Sequence, residues 1–231
     1  MLCLAAGALA DPSLVLIHLD NYAGYGDAVL DACDNLWPGA TILPVLADDW
    51  ATFNTALTTG PYDLIILENW NVNTDGCDWA TLLNIYNTTD TRIFLSDWKL
   101  SSGATGVADL MNAMGVTGAV TIGSVIPMYV WDAGHPICDG IGDWTWVDPG
   151  LGVLNNKLTV SDAIPVTGWT ASVTAGEAAI CVANDGYSVI SGFTPAYAND
   201  AVGIWENILE FMAGGTGALQ QSTWGAIKSS F

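Results

Sequence analysis

The chain is short of positive charge. Four Lys and Arg residues stand against 24 Asp and Glu in 231 residues, a formal charge of −20. Nucleic acids and anionic membrane surfaces are held by basic patches, which Arg92, Lys99, Lys157 and Lys228 are too few to build. Histidine is scarcer still, with only His18 and His135. A Ser–His–Asp triad would need one of them beside Ser96, and no G-x-S-x-G elbow surrounds that serine. No CxxC pair and no Cys–His cluster occurs, which argues against structural zinc. G-x-G-x-x-G and the P-loop are both missing, so nucleotide phosphates have no cradle. No apolar stretch approaches the roughly 18 residues of a membrane-spanning helix.

What the chain has in plenty is aspartate. All but four of the acids are Asp, many in loops beside Gly, Asn or Pro. That pattern serves solubility and turn chemistry, and it also admits loop-bound calcium or a saline environment. Residues 1–10 form an apolar run ending in Ala8-Leu9-Ala10 before Asp11, the pattern of a signal-peptide remnant, so export is expected. Of the cysteines beyond Cys3, Cys33 and Cys181 fall in core-like patterns. Cys77 and Cys138 fall in loops and are the pair expected to bridge, if any does.

Short apolar runs alternate with helical patterns over the first half. Strands are expected over 13–20, 40–46, 63–68 and 92–96, and helices over 25–36, 49–57, 78–86 and 104–114, the last closed by Gly115. Such βαβ units give a mainly parallel sheet with helices on both faces, an α/β, flavodoxin-like layered sandwich. Val, Thr, Ile and Gly then dominate a β-rich insertion at about 116–186. A strand over 187–193 and an amphipathic helix over 200–212 close one domain spanning 11–214. Residues 215–231 read as a linker and a C-terminal arm.

Ligands of open α/β sheets sit outside the carboxyl ends of the strands, which makes Ser96, Asp97 and Trp98 the first place to look. The order of elements from Ser13 to Met114, the phrase His135-Pro136-Ile137-Cys138-Asp139-Gly140-Ile141, and Gly192-Phe193-Thr194-Pro195-Ala196 together resemble the class I glutamine amidotransferase-like superfamily. The resemblance is to its ThuA-like, trehalose-utilisation-type branch. It implies a cysteine nucleophile where this chain has Asp97, a histidine where it has Thr194, and a glutamate where it has Ala196. Nucleophile, base and orienting carboxylate are thus all replaced, so amidotransferase chemistry is not expected.

Other candidates are weighed beside their plainer readings. Asp97 with Glu68 or Asp20 would make a carboxylate pair fit for glycosidase chemistry, or these acids simply cap the next helix. His18 reads as an interior hydrogen-bonded residue, and His135 as a turn-fixing residue or a base. Asn71, Asn73, Asp75 and Asp78 echo a calcium loop that lacks its closing Glu, or form an Asn/Gly-rich turn. Calcium would be favoured if a Cys77–Cys138 bridge drew Asp75, Asp78, Asp139 and Asp143 together. Tyr22, Tyr25, Trp70 and Trp98 fall at the same rim, where with Asp20, Asp97 and Thr194 they would bind a glycan, or lie buried under the insertion. The arm, with Trp224, Ile227 and Phe231, resembles short Trp-Gly-x-x-Lys endings of exported bacterial proteins. It either covers its own domain or docks on a second subunit or a secretion or anchoring partner. The expectation is an exported, non-catalytic binding or assembly subunit of the cell surface or extracellular matrix, of the surface-layer or filament kind. The alternative is a carbohydrate-active hydrolase or glycan-binding protein using Asp97 and the rim aromatics.

Overall fold

The computed structural model describes residues 11–19, 27–46, 49–69, 76–104, 106–122, 126–143 and 155–214. The signal-like segment, Asp20, Tyr22, Tyr25, Trp70, Asn71, Asn73, Asp75 and the C-terminal arm lie outside these residues.

Four βα units come first: β1 (Leu14–His18), α1 (Asp27–Leu36), β2 (Thr41–Val45), α2 (Trp50–Leu57), β3 (Leu64–Asn69), α3 (Trp79–Thr88), β4 (Arg92–Asp97) and α4 (Val107–Ala113). A 3-10 turn, Trp98–Ser102, separates β4 from α4. There follow β5 (Val116–Ile122), β6 (Tyr129–Val130), β7 (Asn155–Val160), β8 (Ile164–Pro165), β9 (Thr167–Gly168), β10 (Ile180–Val182), β11 (Val189–Ser191) and α5 (Ala201–Met212). The helices start where short carboxylates satisfy their first free N–H groups. Asp49, Asp78 and Asp200 accept from the backbone of Thr52, Thr81 and Gly203. Part of the aspartate surplus is thus capping chemistry.

The main sheet runs β2-β1-β3-β4-β11-β10-β8. Strands β2 to β11 are parallel, while β10 and β8 join antiparallel. All six residues of β3 are buried, as a central strand covered on both faces requires. Alternation then sorts the core into two layers. Val15, Ile17, Ile66, Phe94 and Val189 pack beneath α1 and α5, whereas Leu16, Ile65, Leu67, Ile93 and Ile190 pack beneath α2, α3 and α4. Helix α5 presents Ile204, Trp205, Ile208, Phe211 and Met212 to the first layer, as its amphipathic sequence predicts.

The β-rich stretch is not wholly an insertion, because β8 and β10 complete the main sheet itself. Among the described residues, the pairs β5–β7 and β6–β9 stand apart from it. Gly115 makes the turn into this region. Its φ is +87°, and a Cβ there would lie 2.5 Å from the Ala163 nitrogen.

Candidate functional site

The strand order reverses between β1 and β3, so the crevice for a ligand lies outside their carboxyl ends and those of β4 and β11. Register decides what meets there. Glu68 lies beside Ser96 and Asn69 beside Asp97, and the β11–β4 pairing carries Ser191 to the Ser96 level. Successive residues point to opposite faces. Glu68, Ser96 and Ser191 therefore face the α1/α5 layer, and Asn69 and Asp97 face the α2–α4 layer. Glu68 and Asp97 sit on opposite sides of the sheet, so the expected carboxylate pair between them does not form.

Asp97 is fully buried. Its Oδ1 accepts the Lys99 N–H at 2.6 Å, which caps the 3-10 turn, and its Oδ2 accepts from Asn69 Nδ2 at 2.9 Å. Its backbone carbonyl accepts from Asn156 Nδ2 at 3.3 Å. The residue expected at the nucleophile position is thus engaged by three elements. Neighbouring Ser96 donates its hydroxyl to the Phe193 carbonyl at 3.0 Å, with Thr194 Oγ1 at 3.5 Å. Ser191 donates to the same carbonyl. The two regions that the resemblance aligned, strand 4 and the Gly192-Phe193-Thr194 phrase, do come together. What they assemble is a hydroxyl cluster closed upon the backbone.

His18 is an interior residue, as expected. Its Nδ1–H donates to the Glu68 carbonyl at 2.9 Å across the β1–β3 crevice, and its ring stacks on Trp50 at 3.9 Å. His135 fixes a turn. Its Nδ1 accepts the Ile137 N–H at 3.2 Å at the head of the Pro136–Cys138 turn, and its ring packs on Phe211. Burial pushes its pKa down to about 4, against a smaller upward pull from Asp132.

Cys77 and Cys138 do not bridge. Both are free, buried thiols, Cys77 in the α2–α4 layer and Cys138 in the α1/α5 layer, with the sheet between them. The bridge that would have drawn four loop acids together is therefore absent. Asp78 Oδ2 takes the Thr81 hydroxyl at 2.7 Å, beside its capping bond, and Asp143 Oδ1 takes the Val130 N–H at 3.1 Å. Among the described residues no group of three or more His, Cys, Asp or Glu is placed to hold a metal.

Trp98 is half-buried, with Lys99 Nζ 5.3 Å from its ring centroid. Thr194 is buried. The residues that sequence reasoning missed are Asn69, Asn156, Ser191 and Trp50, which hold the rim together. Two surface clefts of about 550 and 400 Å³ flank Arg92 at the opposite, amino end of the strands. Arg92 is already engaged there, donating to the Met212 carbonyl and lying 4.8 Å from the Tyr187 ring.

No family model matches the chain, and no curated protein sequence does. Solved structures do. A ThuA-like protein from Bacteroides uniformis superposes with a TM-score of 0.52 at 12% identity, over 90% of this chain and 93% of that one. A cold-adapted β-galactosidase from Rahnella sp. R3 gives a TM-score of 0.46 at 14% identity, over 94% of this chain and 32% of that one. PurLQS from Thermotoga maritima gives 0.47 at 10% identity, over 87% and 97%. The latter two are looser and carry no weight. The first shows the fold alone: the chain shares the α/β, flavodoxin-like layered fold of that ThuA-like protein.

Proposed function

We propose that this chain is a non-catalytic amidotransferase-like domain that binds or assembles instead of turning over substrate. The observation that carries the reading is Asp97. A nucleophile must reach its substrate on a strained turn with its lone pairs available. The Asp97 carboxylate is fully buried, with one oxygen capping a turn and the other held by Asn69. The residue where the resemblance calls for a base is Thr194, which has no proton-accepting nitrogen to activate anything. A pair of Asp97 with Glu68 for glycoside cleavage also lacks support, because the two face different layers, while Asp20, the other expected partner, lies outside the described residues.

Export and assembly at the cell surface remain part of this proposal. Their support is the signal-like first ten residues, the acidic composition and the aromatic arm. Among the described residues no helix is long and apolar enough to cross a membrane. The test is turnover. Purified protein incubated with L-glutamine and with a panel of glycans should release neither ammonia nor new reducing ends above a protein-free blank. Release that disappears in Asp97→Asn would overturn the reading.

A further inference from the structure

Among the described residues, strand β5 has a strand neighbour on one side alone, which is β7. The far side of β7 is taken: the Asn156 N–H donates to the Gly192 carbonyl, and Leu158 exchanges bonds with Ala178. Residues of an antiparallel strand alternate in the side to which they bond. With Asn156 and Leu158 turned away from β5, the bonds within the pair fall on Asn155, Lys157 and Thr159, opposite Ile122, Val120 and Gly118. Ala119 and Thr121 therefore aim their N–H and C=O groups at the open edge. The Trp98–Ser102 turn touches both β5 and β7, so it lies under the face of the pair and not along that edge. Val120 and Thr121 are both exposed.

This edge is poorly guarded against pairing between molecules. The main sheet carries Pro44 and Pro165 in its edge strands β2 and β8. Strand β5 reads Val-Thr-Gly-Ala-Val-Thr-Ile, with neither proline nor charge, and its bulge, between Val116 and Gly118, leaves the rest regular. From residue 110 to residue 131 there is no Asp, Glu, Lys or Arg, in a chain whose formal charge is −20. Two copies so charged repel each other. An acid-free edge is where they can come together.

We propose that β5 pairs antiparallel with β5 of a second copy of this chain, about a twofold axis at Val120, joining the two small sheets into one. This rests on the assembly half of the reading above and names its surface and its partner. The register follows from the outward groups. Ala119 and Thr121 of one copy exchange N–H···O bonds with Thr121 and Ala119 of the other, a self-complementary match of the kind a twofold requires. Val120 then meets Val120 as a non-hydrogen-bonded pair, with Cα atoms about 4.5 Å apart. That contact covers a side chain 62% exposed in the single chain. Lys157, opposite Val120 within the pair, is matched by Glu177 at 2.7 Å, so its charge does not oppose the contact.

Sedimentation equilibrium of the full chain, from roughly 5 to 500 μM, reaches the weak association that a single strand edge supports. The expected result is a monomer–dimer equilibrium, weakened about tenfold or more in Val120→Lys and in Thr121→Pro, which put a charge and a missing donor on the edge. Circular dichroism should show both variants folded, since both positions are exposed. Under a mild oxidant, Val120→Cys should form a disulfide-linked dimer on a non-reducing gel, because a Cα spacing of about 4.5 Å suits a disulfide. The parent, and Val173→Cys at a residue 68% exposed, should form less when treated alike. A monomer at every concentration would overturn the proposal. So would a dimer that both variants retain, or one that Val173→Cys traps as readily as Val120→Cys. Such a failure concerns this edge alone, because turnover of L-glutamine and glycans is measured separately and decides the non-catalytic reading.

Discussion

Aspartate does local work in this chain. Asp49, Asp78, Asp97 and Asp200 each accept an N–H at the start of a helix or turn, so a sequence rich in acids need not be rich in sites. His135 gives the sharpest test at this scale. Its pKa falls from an ordinary 6.5 to about 4 through burial, so between these values the unfolded chain is protonated and the folded one is not. Stability should decline as pH drops from about 6.5 toward 4, by up to about 3 kcal/mol. Asp49 and Asp78 are lowered by their Thr hydrogen bonds, and Asp63 is lowered because bonds from Leu14 and Ser13 outweigh its burial. Their contribution is present above the ordinary carboxylate range and is lost only below it, so the histidine window stands clear. Denaturant titrations at pH 7 and pH 5 should show the loss in the parent and little of it in His135→Gln. Gly192 gives a second test. A Cβ there would stand 2.1 Å from the Asn156 carbonyl oxygen, so Gly192→Ala should cost about 1–3 kcal/mol in urea unfolding.

At the scale of elements, the four βα units were legible because each strand is a short apolar run and three of the four helices open on an Asp, α4 alone starting at Gly106. The predicted strand over 92–96 and the observed Arg92–Asp97 differ by one residue. Of the later strands, β11 falls within the expected 187–193, while the short ones before it were not legible. Strands β6, β8 and β9 have two residues each, too few to display a period, and only pairing across the sheet defines them. The rim was half-legible. Ser96, Asp97 and Thr194 could be placed from apolar boundaries and the resemblance. Asn69 and Asn156 gave no local signal, since their bonds to Asp97 reach 28 and 59 residues along the chain, while Ser191 bonds locally to Phe193 and joins the rim only through the β11–β4 pairing. The capping account predicts that Asp78→Ala lowers stability by about 1 kcal/mol, whereas Asp78→Asn, still able to cap, changes it by a few tenths. Thermal denaturation of both variants checks this.

Across the whole molecule, the two core layers explain why Cys77 and Cys138 stay apart, and the sheet edges bear on assembly. Thr41 donates to Ser13 and Val45 accepts from Leu19, so the odd residues of β2 bond toward β1 and Pro44 faces the open edge. Pro165 holds the same position on β8, opposite Cys181 and beside Val166, whose N–H bonds to Ile180. Both edges of the main sheet thus withhold a donor where another strand would pair. Self-association of this chain should therefore avoid these edges. Pro44→Thr, which restores an N–H between the exposed Leu43 and Leu46, should raise the apparent mass by light scattering.

The central claim is that Asp97, where the resemblance calls for a nucleophile, is a structural carboxylate. Residues kept for catalysis usually hold a site in a strained or unsatisfied state, and removing them leaves a protein as stable or more so. A buried cap that also holds Asn69 behaves in the opposite way. Equilibrium urea unfolding of Asp97→Ala measures the difference directly. A loss of about 2–4 kcal/mol is predicted, from the cap and the buried hydrogen bond together. Unchanged or increased stability in Asp97→Ala would contradict the account.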